Sequence, residues 1–129
     1  MTLEAWDPAY KPNLDWNHAW GTAPTNIIGR RLWGITPTEP GFKSVQIKPQ
    51  LVDLQYTEIK LPTSKGSIVC HYRKGDSKQL FEVTLPVNMK GTFILPKGIL
   101  AVEFNEKMGK STSELHLKSG LNSILIHTQ

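Results

Sequence analysis

The stretch GSIVCHYRKGDSKQLFEVTLP, residues 66–86, decides the fold class of this 129-residue chain. Apolar and polar residues alternate along both of its halves, and the turn formers Gly75 and Asp76 lie between them. A period of two places successive side chains on opposite faces of a strand, so each half predicts a strand with one buried face. The residues predicted to point inward are Ile68, Cys70, Tyr72, Phe81, Val83 and Leu85. We therefore interpret Tyr72 and Phe81 as core residues rather than as a platform for a sugar.

The same alternation continues on both sides of this stretch. Upstream, SVQIKP predicts a strand with Val45 and Ile47 inward. Downstream, NSILIHT predicts a last strand, and weaker strands are predicted at Thr92–Leu95, Leu100–Phe104 and Glu114–Lys118. Turn formers separate these segments at Lys65-Gly66, Lys97-Gly98 and Ser119-Gly120. About eight short strands at near-regular spacing are typical of an antiparallel β-sandwich, and we expect a jelly-roll-like arrangement.

A helix is predicted just before the strand region. Pro24 suits a first helical position, and Ile27, Ile28 and Leu32 have the spacing of one apolar helix face. Gly34 suits the left-handed residue that commonly follows the end of a helix.

Two prolines in the segment GITPTEPGF mark a boundary between the helix and the strands. Pro37 and Pro40 oppose helix propagation and favour extended geometry in the residues before them. We therefore divide the chain into a loop and helix at residues 1–33, a linker at 34–42 and a β domain at 43–129.

Charge and hydropathy exclude several classes of protein. The net charge is +4, but the lysines are scattered singly through the strand region instead of forming a basic stripe with aromatic residues, so nucleic-acid binding is not expected. No apolar run approaches the length needed to span a membrane. Glu4 and Asp7 occupy positions where a secretory signal would be basic and then apolar, so no signal peptide is predicted.

Cofactor and metal sites are also not predicted. Cys70 is the single cysteine, so an intrachain disulfide is impossible and a cysteine metal cluster is not indicated. His71, His116 and His127 lack metal-ligand spacing, and we interpret them as satisfied or solvent-facing residues of strands. Phosphate-binding and dinucleotide motifs are missing from the sequence.

The first twenty residues have a different composition from the strand region. They hold three of the four tryptophans together with several acids and a histidine: Glu4, Trp6, Asp7, Asp15, Trp16, Asn17, His18 and Trp20. Flat aromatic faces beside polar side chains suit carbohydrate recognition, whereas tryptophans also serve as core residues and short acids as helix caps. Composition alone leaves both interpretations open.

A family resemblance adds to this composition. The segments LEAWD, LDWNHAWGTAP, GITPTEPGFKSVQIKPQLVDL and LPTSKGSIVCHY, between Leu3 and Tyr72, resemble the C-terminal end of bacterial α-L-rhamnosidases of the helical-barrel glycoside hydrolase type. The resemblance implies that residues 1–33 end an (α/α)-barrel catalytic domain and that the strands form a terminal β-sandwich. It also implies a terminal α-L-rhamnosyl residue of a glycan or glycoside as the substrate.

The resemblance further implies roles for three residues. Glu4 matches the general base that activates water in an inverting hydrolysis, His18 matches a histidine that contacts rhamnose, and Trp6 matches an aromatic wall of the pocket. The general acid of such enzymes lies on an earlier part of the barrel, upstream of Glu4. Inverting hydrolysis requires both carboxyl groups, so we expect this chain alone to be inactive.

Two further interpretations concern the strand region and the helix. The strands are expected to be a structural module, and the alternative is a non-catalytic sandwich that binds carbohydrate through a face or its loops. A helix face formed by Ile27, Ile28, Leu32 and Trp33 would pack on barrel helices in the parent enzyme. In this chain we expect that face to be exposed and to favour self-association, with the first twenty residues mobile, folded back on the sandwich or held by another copy.

Overall fold

Two β-sheets form most of the protein. The computed structural model describes Ala9, residues 23–109 and residues 112–128. Within these residues there are ten strands: β1 Ile35–Pro37, β2 Ser44–Ile47, β3 Tyr56–Thr63, β4 Gly66–Lys74, β5 Lys78–Leu85, β6 Lys90–Ile94, β7 Ala101–Phe104, β8 Lys107–Gly109, β9 Glu114–Leu117 and β10 Gly120–His127.

The strands pair into one smaller and one larger sheet. The four-stranded sheet has the order β1-β2-β6-β9, and the six-stranded sheet has the order β3-β4-β5-β10-β7-β8. All pairs are antiparallel except β2 with β6, where Ser44–Ile47 run parallel to Lys90–Phe93. The predicted class of a predominantly antiparallel β-sandwich is therefore confirmed, with ten strands where about eight were expected.

The core lies between the inner faces of the two sheets. The predicted inward residues of β2, β4 and β5 are all buried. Residues that join them in the same cluster include Trp33, Ile35, Met89, Phe93, Val102, Leu117, Ile124 and Ile126. The alternation of apolar residues decides these positions because only one face of each strand contacts the other sheet.

Asn122 is the one polar residue that is fully buried in the described part of the chain. Its Nδ2 lies within hydrogen-bond distance of the carbonyl oxygens of Lys118 at 2.8 Å, Gly120 at 3.0 Å and Val83 at 3.2 Å. Its Oδ1 accepts a hydrogen bond from the Lys118 N–H at 3.0 Å. The carboxamide thereby closes the turn between β9 and β10 and ties it to β5.

The predicted helix is present but changes type along its length. An α-helical turn, α1, covers Ala23–Ile27, and a π-helical turn covers Ile28–Leu32. The Trp33 N–H donates to the Ile28 carbonyl five residues back, at 3.0 Å. Ile27 and Ile28 are 56% and 46% exposed, whereas Trp33 is fully buried in the sandwich core. The expectation that Trp33 shares an outward-facing helix surface with these isoleucines is therefore wrong.

Gly34 ends this helical segment as predicted. Its φ is +63°, and a Cβ at this position would overlap the backbone carbonyl oxygen of Lys48. Glycine is required here both by the left-handed backbone and by the close approach of the neighbouring chain.

The segment expected to be a linker takes part in the smaller sheet. Ile35–Pro37 form β1, which pairs with β2, and Ile35 is buried beside Ile47. Pro40–Phe42 then form a short 3₁₀ turn that leads into β2. Strand pairing consequently begins at Ile35, eight residues before the predicted start of the β domain at Lys43.

Candidate functional site

The three residues to which the resemblance gives roles lie outside the described residues. These are Glu4, Trp6 and His18. The described residues that could form a site are those of the helical segment Ala23–Leu32 and of the surfaces of the sandwich.

The helical segment is joined to the sandwich through its carboxyl end. The Gln50 N–H donates to the Leu32 carbonyl at 2.8 Å, and the Lys48 N–H donates to the Gly34 carbonyl at 3.2 Å. These two bonds prolong the pairing of β1 with β2 up to the last helical turn. Together with the buried indole of Trp33, these two bonds fix the position at which the helical segment joins the sandwich.

A groove of about 200 Å³ lies between the helical segment and the strands β1 and β3. Its lining includes Gly29 and Arg30 from the π turn, Pro37 from β1, and Leu61 from β3. Gly29 is buried, and a Cβ there would lie 3.6 Å from Leu61 Cδ1, at ordinary van der Waals distance. The helical turn thus rests closely on the edge strand of the six-stranded sheet.

The outer face of the six-stranded sheet carries a small polar cluster. The Tyr56 hydroxyl donates to Glu58 Oε2 at 2.6 Å, His71 Nδ1 lies 3.5 Å from the same oxygen, and the Arg73 guanidinium lies 5.8 Å from the centre of the Tyr56 ring. The hydrogen bond to Glu58 raises the pKa of Tyr56. The side chains of His71 and Glu58 are 42% and 61% exposed, so solvent screens their attraction strongly. Their cross-strand positions on β3 and β4 account for this contact without a catalytic role.

The other strand histidines do not assemble a site with it. His116 is exposed on β9, and Nε2 of His127 on β10 is buried without a hydrogen-bond partner in the described part of the chain. Among the described residues, no three His, Cys, Asp or Glu side chains are grouped so that they could hold a metal ion. Within the same ranges, no helix is both long and apolar enough to cross a bilayer.

A cavity of about 220 Å³ opens at one end of the sandwich. Its floor is aromatic: the rings of Tyr72 and Phe81 lie 4.7 Å apart and those of Phe81 and Phe93 lie 5.1 Å apart, centre to centre. Burial raises the pKa of Tyr72. Gln50 and Gln79 supply polar groups to the wall, and Leu51, Val52, Pro49 and Pro96 complete it.

Sequence reasoning missed this cavity. Its residues come from four separate parts of the chain: the loop after β2, the end of β4, the start of β5, and the end of β6 with Pro96 two residues beyond it. One signal was present, since Gln79 is polar at the position where the alternation of β5 calls for an inward apolar residue. The confirmed interpretation of Tyr72 and Phe81 as core residues holds for most of their surface, because they are 2% and 4% exposed.

Solved structures with the same fold include three α-L-rhamnosidases. The enzyme from Dictyoglumus thermophilum superposes with a TM-score of 0.80 at 19% identity, over 98% of this chain and 16% of that one. The enzyme from Streptomyces avermitilis, complexed with L-rhamnose, gives 0.71 at 14% identity, over 96% of this chain and 13% of that one. The enzyme from Aspergillus terreus gives 0.70 at 21% identity, over 99% of this chain and 14% of that one.

These superpositions establish the fold. They also allow the length of this chain to be compared with the lengths of the three enzymes. The chain spans 13–16% of the length of those three enzymes. No curated protein sequence matches the chain. The sequence profile of the bacterial α-L-rhamnosidase C-terminal domain matches residues 34–110, from the glycine that ends the helical segment to the residue that follows β8. Because that match covers more than half of the chain, the protein belongs to the family of bacterial α-L-rhamnosidase C-terminal domains.

Proposed function

We propose that this chain acts as the C-terminal part of an α-L-rhamnosidase, an enzyme that hydrolyses terminal α-L-rhamnosyl residues of a glycan or glycoside. The observation that carries the proposal is the profile match over residues 34–110. In this proposal residues 1–33 complete a catalytic (α/α) barrel and the sandwich is the module attached to it.

The catalytic contribution of the chain is proposed for its N-terminal segment. Glu4 serves as the general base that removes a proton from the attacking water, while His18 and Trp6 contact the rhamnose. A second carboxylic acid, upstream of this chain, protonates the leaving oxygen. In an inverting enzyme the two carboxyl groups are separated by roughly 6.5–9.5 Å, which leaves room for the water.

The sandwich itself is proposed to be structural with respect to hydrolysis. The described carboxylates form no pair that faces a cleft, and the cavity at the end of the sandwich is lined without a charged side chain. A general acid needs a pKa raised by an enclosed environment, and Glu58 is instead 61% exposed on an outer face. The backbone bonds at Leu32 and Gly34 support a role in holding the preceding segment in place.

The chain is expected to release no aryl alcohol from an aryl α-L-rhamnoside, because one of the two carboxyl groups and the enclosing barrel are missing from it. Glu4→Gln provides the matched control, since it keeps the shape of the side chain and removes its basicity. Turnover by the chain above that control would contradict the proposal. In a longer polypeptide that contains the barrel, the same substitution is expected to lower the rate by a factor of about 10²–10⁴.

The exposed isoleucines of the helical segment are proposed to pack against barrel helices in the parent. In the isolated chain they favour self-association, since Ile27 and Ile28 are adjacent and about half exposed. Light scattering on the chain and on an Ile27→Ser, Ile28→Ser double variant tests this: the chain is expected to associate and the variant to be monomeric. If the unsubstituted 129-residue chain stays monomeric at high concentration, the proposed self-association is contradicted.

A further inference from the structure

The strand β3 leaves a long edge of the larger sheet open. It has eight residues, Tyr56–Thr63, whereas the other strands that end the two sheets, β1, β8 and β9, have three or four. In the described part of the chain β3 pairs with β4 on one side and with no strand on the other. An open edge of this length is a template for pairing with another strand.

The free backbone groups of this edge belong to the even-numbered residues. The Lys74 N–H donates to the carbonyl of Gln55, the residue opposite it, at 2.8 Å. Hydrogen-bonded pairs alternate along an antiparallel ladder, so the odd-numbered residues of β3 direct their backbone groups to β4. The residues that direct theirs outward are Tyr56, Glu58, Lys60 and Pro62. Among the described residues, none of these outward groups has a hydrogen-bond partner.

The side chains along this edge are complementary to themselves. Glu58 and Lys60 are exposed, opposite in charge and placed symmetrically on the two sides of Ile59. Within the described ranges Lys60 has no ion-pair partner. Edges are commonly protected by lysines, which repel those of a second copy. Here a two-fold axis at Ile59 places each glutamate opposite the lysine of the other copy, and opposite charges at facing positions attract.

The axis at Ile59 also satisfies the backbone. It places Glu58 opposite the partner's Lys60 and Tyr56 opposite the partner's Pro62, so outward groups meet outward groups. A register shifted by one residue would instead set outward groups against residues that already bond to β4.

Other two-fold registers satisfy fewer of these groups. An axis at Glu58 or at Lys60 matches the backbone groups but places two like charges opposite each other at its centre. An axis at Thr57 or at Leu61 overlaps the strands over a shorter length and pairs neither charge. The backbone and the charges together therefore favour the axis at Ile59.

The inner side of the same edge is apolar. Ile59 and Leu61 are partly buried, and a Cβ on Gly29 of the helical segment would lie 3.8 and 3.6 Å from their Cδ1 atoms. The two-fold axis brings the two Ile59 side chains together and the helical segments of both copies beside each other. The exposed Ile27 and Ile28 belong to these segments. Apolar burial thus accompanies the backbone bonds, which contribute little alone because water replaces them in the monomer.

From these observations we infer that β3 pairs antiparallel with β3 of a second copy of the chain, about a two-fold axis at Ile59. Two six-stranded sheets then become one continuous sheet, joined by about six backbone hydrogen bonds. The inference rests on the self-association proposed above and deepens it by naming the surface and the register. Both long edges are used in the pair, so association ends at the dimer.

Exchange of the two charges tests the register. Glu58→Lys and Lys60→Glu each place like charges opposite one another at two symmetric positions, and each is expected to weaken the dimer about tenfold in sedimentation velocity. The double variant Glu58→Lys, Lys60→Glu restores opposite charges and should recover the affinity of the unsubstituted chain. Lys97→Glu is the matched control, because Lys97 is exposed in the turn after β6, outside β3, and it should leave the dimer unchanged.

Amide hydrogen exchange followed by NMR tests the backbone pairing separately from the charges. The amides of Tyr56, Glu58 and Lys60 should exchange about tenfold more slowly in the associated chain than in the dilute chain, because only the second copy covers them. The amides of Thr57 and Ile59 bond to β4 and should be protected at both concentrations. Equal exchange of Glu58 and Lys60 at the two concentrations would refute the inference.

The outcomes separate this inference from the self-association on which it rests. Suppose that the Ile27→Ser, Ile28→Ser variant is monomeric while both single charge variants associate as strongly as the unsubstituted chain. The helical segments would then associate without the strands, and the pairing of β3 would be wrong. Oligomers larger than a dimer would also contradict it, because they need a surface other than β3. A chain that is monomeric at all concentrations would overturn both proposals.

Discussion

Replacement of Asn122 by aspartate tests how the buried carboxamide supports the turn between β9 and β10. The two side chains have the same shape, so packing is kept and only the chemistry of one group changes. The Nδ2 group, which faces the carbonyl oxygens of Lys118, Gly120 and Val83, becomes an oxygen. In the variant, three backbone carbonyl oxygens therefore face a carboxyl oxygen in place of an N–H donor, at a position that is buried from solvent.

The expected loss of stability has two parts. Removal of the N–H donors from buried carbonyl groups costs about 1–2 kcal/mol at a pH where the new carboxyl group is protonated. Burial without a cation raises the pKa of that carboxyl group above its unfolded value of about 3.9. The folded state then holds its proton more tightly, so stability falls by up to about 1.4 kcal/mol for each pH unit above 3.9 until the folded pKa is passed. Because pH 7 lies about 3 units above 3.9, the second part adds up to about 4 kcal/mol. We therefore expect a total loss of up to about 6 kcal/mol at pH 7, a large part of the stability of a domain of this size.

Urea unfolding followed by far-ultraviolet circular dichroism at pH 4 and pH 7 measures both parts. Asn88→Asp is the matched control, since Asn88 is exposed and makes no side-chain hydrogen bond among the described residues; its effect should stay within about 0.5 kcal/mol. An Asn122→Asp variant within 1 kcal/mol of the parent chain at pH 7, or one whose loss is the same at both pH values, would refute this account.

Three further changes have expected outcomes that the same unfolding measurement checks. Gly34→Ala should cost at least about 2 kcal/mol, because a Cβ there overlaps the Lys48 carbonyl and the backbone is left-handed; a loss below 1 kcal/mol would be inconsistent with that overlap. Burial raises the pKa of the Cys70 thiol to about 12, against about 8.5 when unfolded, so stability should fall as the pH rises above 8.5, by up to about 1.4 kcal/mol per unit. Cys70→Ala should remove the contribution of the thiol to the fall of stability with pH. An unchanged dependence of stability on pH in this variant would contradict the role given to the thiol. Val52→Gly should leave stability unchanged or raise it by up to about 1 kcal/mol through relief of strain, and a loss above 1 kcal/mol would show that the valine is not strained.

The positions of the buried residues could be predicted from the sequence because period-two alternation is a local signal. Val45 and Ile47 of β2, and the inward residues of β4 and β5, lie in the core as expected. Gly34 was also predictable, since a glycine after a run with helical spacing commonly takes the left-handed conformation.

Other elements escaped prediction for identifiable reasons. Pro62 lies within β3 and argues against a strand, but β3 is an edge strand of the six-stranded sheet, where a residue without an N–H is tolerated. The strands β1 and β8 have three residues each, too few to show a period. Trp33 was grouped with the apolar face of Ile27, Ile28 and Leu32, whereas it follows a π-helical turn and is buried in the sandwich core.

One part of the candidate site could be predicted from the sequence and another part could not. The roles of Glu4, Trp6 and His18 come from a family resemblance, and they remain predictions because these residues lie outside the described ranges. The cavity depends on residues from Pro49 to Pro96 that meet only through sheet pairing. Long-range pairing leaves no motif in a single sequence, so only the misplaced polarity of Gln79 indicated it.

The position of β10 has a consequence for how the protein is made. Residues 120–127 lie between β5 and β7, near the middle of the larger sheet, although the ribosome produces them after every other strand described. The hairpins formed by β3, β4 and β5 can pair early, and β7 can pair with β8, but β5 and β7 each lack one neighbour until β10 emerges. The nascent chain therefore carries an open strand edge on β5 from the synthesis of that strand until β10 emerges, and chaperones that shield such edges would be needed most at that stage.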